Sequence, residues 1–390
     1  MCGITAISTK KQALPFLMQG LEKLEYRGYD SAGVTVLDQG KLVTIKTKGR
    51  LNDLKEELKN YNLSGHVGIG HTRWATHGVP SNLNSHPHTN EANTISIVHN
   101  GIIENYRELK AFLIEKGYQF HSQTDSEVIV HLLDYYYDGD MLKALQTVTN
   151  QLEGSYALCI TSTDMPDQVI ITKKDSPLVV GQSDEGTYGA SDIPALLEYT
   201  KDVYFLEDYD IAVLKNDHVE FYNHELQPIQ KEITVIPYDS EAAKKDGYDT
   251  FMLKEIHEQP HVIKETLRGR INDHSIVLDE LDEVDFSKFN KAYFVACGTA
   301  YHACLSGANI LERLTKIPTI CQVASEFRYN EPTIDENTLC VFVSQSGETA
   351  DTLAALRLAK QYNATTIAIA NVLGSTISRD AHYTIYTCAG

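Results

Sequence analysis

Cys2 stands directly behind the initiator methionine. Removal of Met1, common before a small residue, would leave a cysteine with a free α-amine. An α-amine has a pKa of about 7.7–8.0 and a free thiol about 8.5. One residue would then supply a nucleophile and its general base. Other stretches carry groups suited to the same chemistry. His71-Thr72-Arg73-Trp74-Ala75-Thr76-His77-Gly78 ends a strand with an arginine, the residue that grips a carboxylate bidentately. Val98-His99-Asn100-Gly101 ends another with a side-chain amide and a glycine N–H, a pair of donors for an oxyanion. Asp125 offers a carboxylate, either to the dipole of its own helix or to a substrate ammonium.

A second set of groups lies near the C-terminus. Ser344-Gln345-Ser346-Gly347-Glu348-Thr349 follows an apolar run and precedes a helix. Hydroxyls and backbone N–H groups at a helix start suit an anion. Cys297-Gly298-Thr299-Ala300 occupies the same kind of position, and Ser325-Glu326-Phe327-Arg328 follows a third strand. The two Ser/Thr loops hold no lysine or arginine and lack the G-x-x-x-x-G-K of a P-loop. The alternative for each is a turn that only caps its helix. A metal is the rival use of His71, His77, His86, His88 and His99, two of which read His-x-His. No Cys pair or H-E-x-x-H accompanies them, so the reading is no metal, with most of these rings satisfied inside a sheet.

The elements that must position these groups fall into two regions. Short apolar runs recur at 3–8, 32–37, 67–71, 95–99, 157–161, 169–172 and 211–214. The alternation in 66–70 and 94–98 predicts strands with unlike faces. Helices are predicted over 105–116 and after Thr124-Asp125-Ser126-Glu127, which reads as a capping box. Few strands alternate with long helices, so residues 1–237 read as an α+β layered domain of antiparallel sheets. A polar stretch, 238–250, reads as a linker. From 251 to 390 the order becomes strand, loop, helix, repeated, which predicts an α/β doubly wound parallel sheet. The chain stops just after a fifth strand, which leads us to expect a piece of a longer protein.

Composition narrows the classes further. The chain has 390 residues, with 34 Lys plus Arg against 53 Asp plus Glu, a net charge of −19. Such a surface repels phosphate backbones, so no nucleic-acid partner is expected. No apolar run approaches the roughly 18 residues of a membrane helix, and the N-terminus lacks a basic start before an apolar core. No membrane partner is expected, therefore. Seven cysteines without a C-x-x-C pair fit a reducing, cytoplasmic setting.

Taken together, Cys2-Gly3-Ile4, Leu24-Glu25-Tyr26-Arg27-Gly28-Tyr29-Asp30-Ser31-Ala32-Gly33, His71–Gly78, His86-Pro87-His88 and His99-Asn100-Gly101-Ile102 resemble the class II glutamine amidotransferase domain, an N-terminal-nucleophile hydrolase. Met252–Pro260, Ala296-Cys297-Gly298-Thr299, Ala324–Tyr329 and Ser344–Thr352 resemble the first sugar-isomerase (SIS) domain of the glutamine–fructose-6-phosphate aminotransferase family. The resemblance implies an αββα sandwich followed by an SIS domain, with a second SIS domain absent. It implies Cys2 as nucleophile, Asn100 and Gly101 as oxyanion donors, and Arg73, Thr76, His77 and Asp125 as glutamine ligands beneath a Trp74 loop. It implies Thr299, Ser344, Gln345, Ser346 and Thr349 around fructose 6-phosphate, with Ala300 where many relatives have a serine. It implies no cofactor, a homodimer at full length, and ammonia passed from glutamine to the sugar for amino-sugar synthesis; the 390-residue chain would keep the glutaminase half. A phosphoribosylpyrophosphate amidotransferase or an asparagine synthetase would need a different acceptor domain. A catalytically dead sugar-phosphate regulator would have lost Cys2, Arg73 or Asn100, and all three are present.

Overall fold

Two antiparallel sheets face each other in the first half of the chain. The computed structural model describes residues 2–25, 28–74, 77–236, 248, 251–272, 275–387 and 389. Its contacts divide it into two units, residues 1–244 and 245–390. The linker expected at 238–250 lies, apart from Tyr248, outside the described residues.

In the first unit one sheet has eight strands, with Gly3–Thr9, Val67–Arg73, Ser31–Asp38 and Lys41–Lys48 side by side at one end. The other has seven, with Ile95–Ile103 and Gly154–Ser162 adjacent. Ile4, Ala6, Val67 and Ile69 meet Val98, Ala157, Cys159 and Ile171 between the sheets. The helices Ala13–Lys23 and Leu51–Leu58 cover the outer face of the first sheet. Tyr106–Glu115, Glu127–Tyr136 and Met141–Thr149 cover the second. The result is four layers, helix, sheet, sheet, helix, and it buries both faces of each central strand.

That double burial corrects the reading of unlike faces. Every residue of Val67–Arg73 is buried. Ile69 points into the space between the sheets, while Gly68 and Gly70 lie under Leu17 and Leu21 of the overlying helix. The alternation therefore records two buried partners of different reach, a close helix and a wider intersheet gap. Ser96 is likewise fully buried, and its hydroxyl lies 2.9 Å from Thr35 Oγ1 of the opposite sheet.

The capping box is also corrected. The helix begins at Glu127, and Ser126 at its N-cap makes no side-chain capping bond. Ser126 already has helical backbone angles, so Thr124 stands too far out to cap; its hydroxyl meets His88 Nε2 at 3.1 Å. Glu127 instead accepts from the N–H groups of His121 and Ser122 and from Ser122 Oγ, at 2.7–2.8 Å.

The second unit holds five parallel strands in the order Thr319–Val323, Lys291–Ala296, Thr338–Ser344, Thr365–Ala370, Tyr383–Tyr386. In chain order this is 2-1-3-4-5, which reverses direction between the strands ending at Ala296 and Ser344. Ligands of such sheets bind beyond the strand ends at that reversal. Apolar clusters lie on both faces, with Tyr293, Phe327 and Phe342 in one and Leu339, Val341 and Ile367 in the other. Among the described residues no helix is long and apolar enough to cross a membrane.

Thr35 Oγ1 also lies 2.7 Å from Thr44 Oγ1. Thr35→Val keeps the shape but strands the fully buried Ser96 hydroxyl, so urea unfolding should register a loss of about 1–3 kcal/mol. A change below about 0.3 kcal/mol would mean the intersheet bond contributes nothing.

Candidate active site

Cys2 precedes the first strand, and Gly3 pairs with Thr72 of the neighbouring one. This register sets Arg73 and Trp74 beside the thiol. The Trp74 N–H donates to Cys2 Sγ at 3.2 Å, and Trp74 O lies 3.5 Å from the same sulfur. Burial pushes the Cys2 thiol up, and the Asp30 carboxylate adds to that; the Trp74 contact, the N-terminal charge and Arg73 pull it back only in part. At neutral pH the thiol keeps its proton and needs a base to become a nucleophile.

Asn100 comes from the opposite sheet. Its Nδ2 donates to the Cys2 carbonyl at 3.0 Å. Its Oδ1 lies 3.0 Å from His71 Nε2, which is also 3.1 Å from the His99 carbonyl. Both neighbours are acceptors, so Nε2 is the protonated ring nitrogen of His71.

The strand register decides where the Gly101 N–H points. Glu104 N donates to Glu153 O, and Thr163 N to Thr94 O, each at 2.9 Å. Antiparallel strands alternate in this respect, so even-numbered residues of Ile95–Ile103 bond to Gly154–Ser162 and odd ones face the other edge. On that edge the short strand His88–Thr89 pairs only with Ile97 and Ser96. Beyond it, side chains take over. His99 N donates to His86 Nδ1 at 3.2 Å, and Ile103 N donates to Asp125 Oδ2 at 2.8 Å. Gly101 lies between them, and its N–H has no partner among the described residues. Its φ is 137°, and a Cβ would sit 2.0 Å from the Ser155 carbonyl oxygen, so only glycine fits.

Arg73 is 4% exposed. Its Nη2 donates to the carbonyls of His77 and Gly78. Its Nη1 is buried with no partner among the described residues. His77 Nδ1 lies 4.0 Å from Asp125 Oδ1, and its ring meets Tyr106 edge-on. Trp74 is half exposed and stands edge-on to Tyr29, 5.3 Å between centroids, with the Arg50 guanidinium over Tyr29. Thr76 lies outside the described residues. Cys2, Arg73, Trp74, His77, Asn100, Gly101 and Asp125 are thus gathered around the junction of the two sheets.

Behind them is a cluster of buried histidines. His71 stacks on His86 with centroids 4.2 Å apart, and His86 meets His88 edge-on at 4.6 Å. His99 Nδ1 lies 2.8 Å from Ser126 Oγ. Burial drives all four rings below their ordinary range, His71 to about 3, so they are neutral near pH 7. Glu127 borders the cluster. Burial raises its carboxyl, but His131 and the donors of His121 and Ser122 outweigh that and bring it to about 2. Among the described residues no group of three or more His, Cys, Asp or Glu is placed to hold a metal. The sequence left His71 between a metal ligand and a ring satisfied inside a sheet, and its hydrogen bonds to Asn100 and the His99 carbonyl fit the second; its position two residues before Arg73 on a paired strand was the available sign that it lies beside these groups.

In the second unit Ser344 is buried, and its hydroxyl accepts from Gly347 N at 3.0 Å. Gly347 has a φ of 67°, and a Cβ there would lie 2.1 Å from Ser375 Oγ. Gln345 is exposed, and Ser346 and Thr349 are partly exposed. The helix Ala350–Gln361 starts after Thr349. Glu348 accepts from Thr376 N at 2.7 Å and so caps a different helix, Thr376–Asp380. Thr299 is exposed in the first turn of Gly298–Thr315. Neither long helix has a side-chain N-cap bond, so their first-turn N–H groups remain available. Thr352 Oγ1 lies 3.7 Å from Cys297 Sγ, which ties the two loops together at the sheet's reversal point.

Two family models match the chain, a glutamine amidotransferase domain over residues 71–198 and an SIS domain over 285–390. Curated relatives named glutamine–fructose-6-phosphate aminotransferase (isomerizing) match along its full length. The protein from Clostridium tetani is 53% identical over 393 residues, and that from Methanosarcina acetivorans 46% over 405. The chain spans 65% of the length of each. Among solved structures, the glutamine phosphoribosylpyrophosphate amidotransferase of B. subtilis, in complex with ADP and GMP, shares the fold. It is 16% identical with a TM-score of 0.52, over 95% of this chain and 81% of that one.

The depressed histidines carry a pH signature. The unfolded chain binds protons near pH 6.5 that the folded chain refuses until much lower pH. Stability therefore rises with pH through this window and falls on acidification. Urea unfolding of the first unit should lose at least about 1 kcal/mol per pH unit between pH 6 and 5, above the range of ordinary carboxylates. A flat profile there would show that these rings are not held neutral.

Proposed function

We propose that this chain, similar along its full length to the glutamine–fructose-6-phosphate aminotransferases (isomerizing), is a glutamine amidotransferase of that family whose first unit hydrolyses the glutamine amide. The reading rests above all on one juxtaposition: the Cys2 sulfur at the end of one sheet, and at the edge of the other the Asn100 amide and a Gly101 N–H without a partner among the described residues.

The chemistry follows from the groups. With Met1 removed, the Cys2 α-amine takes the thiol proton, and Sγ attacks the amide carbon of glutamine. The carbonyl oxygen becomes an oxyanion between Asn100 Nδ2 and Gly101 N–H, donors already in place before charge develops. The protonated α-amine gives its proton to the leaving nitrogen, and ammonia departs. A γ-glutamyl thioester remains, and water, deprotonated by the same amine, releases glutamate and restores the thiol. Arg73 is suited to the substrate carboxylate because Nη1 is buried with no partner among the described residues. Asp125, fixed by Ile103 N, is suited to the substrate ammonium. His77 and Thr76 complete the glutamine site, and Trp74 covers it.

The second unit is proposed to hold the phosphate of fructose 6-phosphate at Thr299, Ser344, Gln345, Ser346 and Thr349, by neutral donors and helix N-termini. In the whole protein the ammonia would aminate that sugar to glucosamine 6-phosphate. A homodimer and a cytoplasmic location belong to the same reading.

Intact mass first establishes removal of Met1. Cys2→Ala should then reduce glutamate release from glutamine to background; turnover by the mutant would overturn the nucleophile assignment. Arg73→Ala should raise KM for glutamine about 10–100-fold, the worth of a charge-assisted contact, with a smaller change in kcat. For the second unit, calorimetric titration of fructose 6-phosphate should give binding that Ser346→Ala and Thr349→Ala weaken; no heat at millimolar sugar would remove that half of the proposal.

A further inference from the structure

The histidine cluster has a member that the glutaminase chemistry does not use. His71 is buried on the Val67–Arg73 strand, and its Nε2 reaches the side chain of Asn100 and the carbonyl of His99 at once. We propose that His71 is a positioning residue for the oxyanion donors, fixing through its Nε2–H which end of the Asn100 amide faces the reacting carbonyl.

An asparagine amide has two ends of opposite polarity and nearly equal shape. With Oδ1 outward it would repel an oxyanion; with Nδ2 outward it stabilises one. His71 Nε2–H is a donor, so it accepts only Oδ1 as its neighbour. Nδ2 then has two hydrogens to place. One goes to the Cys2 carbonyl, 3.0 Å away, and the other remains for substrate. The same Nε2–H holds the His99 carbonyl, two residues before Gly101 in the chain. His86 completes the clamp. Its ring stacks on His71 at 16° between planes, and its Nδ1 takes the His99 N–H. His99 is therefore gripped at both backbone groups on the open edge of the strand, which fixes the peptide leading to Asn100 and Gly101. Burial keeps His71 neutral, so that Nδ1 stays bare and Nε2 remains the donor.

This inference rests on the glutaminase reading above, and the test separates the two. In the 390-residue chain, His71→Leu removes the donor while keeping bulk, and His71→Gln can still present an N–H near the Nε2 position. Losing control of one oxyanion donor is worth about 10²–10³ in kcat. We expect His71→Leu to lower kcat by about 100-fold with KM for glutamine within threefold. Alkylation of Cys2 by iodoacetamide, a displacement that forms no oxyanion, should stay within threefold. His71→Gln should recover most of the loss. In an Asn100→Ala background, His71→Leu should cost less than threefold more, since it acts through a group already absent. Should His71→Leu fail to fold, His71→Phe, which also lacks the donor, and the Asn100→Ala/His71→Phe pair carry the same comparison, and the ring tautomer can be read by ¹⁵N NMR of labelled histidine in the wild type. Equal losses in both Asn100 backgrounds, a parallel fall in alkylation, or a proton on Nδ1 would overturn the inference. An inert, correctly processed wild type would instead overturn the glutaminase reading beneath it.

Discussion

The bond between the Asn100 amide and the Cys2 carbonyl is one of a few polar links, with Ser96–Thr35 and His71–Asn100, between two sheets that meet mainly through apolar side chains. It is a polar contact at the rim of a dry interface, where both partners would be costly to leave unpaired. Everything around it is arranged to make that contact possible. The Gly3–Thr72 pairing places the start of the chain against the end of the Val67–Arg73 strand. The pairing of Ile95–Ile103 with Gly154–Ser162 leaves the odd-numbered N–H groups on the open edge. A one-residue slip in that register would turn Asn100 and Gly101 to the wrong sides.

The open edge also explains the density of buried polar groups here. A strand edge inside a protein must have its N–H and C=O groups satisfied. Continuing the neighbouring strand would do this and leave no room for substrate. The chain instead begins that strand only at His88 and supplies His86, His71 and Asp125 as substitute partners, with Asn90 at the strand's other end. Satisfying the edge and building a pocket are then one operation. The neutral state of the histidines follows from it, since a charged ring in the same place would lose its hydration, a cost that the nearby Glu127 and Asp125 carboxylates offset only in part.

Much of this was legible in the sequence, though unevenly. Cys2, Arg73, Asn100 and Asp125 pointed to acyl transfer only together, through the family their motifs resemble, while the strand–loop–helix rhythm after residue 251 announced a parallel sheet by itself. What could not be read was the partner of each face. Gly68 and Ile69 alternate as a half-wet strand would, yet both are buried, because the small residue admits a helix and the large one fills the gap between sheets. Thr124 and Glu127 have the spacing of a capping box, yet the turn starts later and Glu127 bonds the preceding loop. Glu348 has the look of a first-turn charge, yet it caps the next helix. In each case the local pattern was real and the tertiary partner decided its use.

The central claim is that Cys2 becomes acylated. Acid quenching of the chain during glutamine turnover, followed by peptide mass spectrometry, tests it directly. The account predicts a γ-glutamyl adduct on the N-terminal peptide, located at the Cys2 sulfur and lost on treatment with hydroxylamine. Turnover with no adduct on Cys2, or with an adduct on another residue, would contradict it.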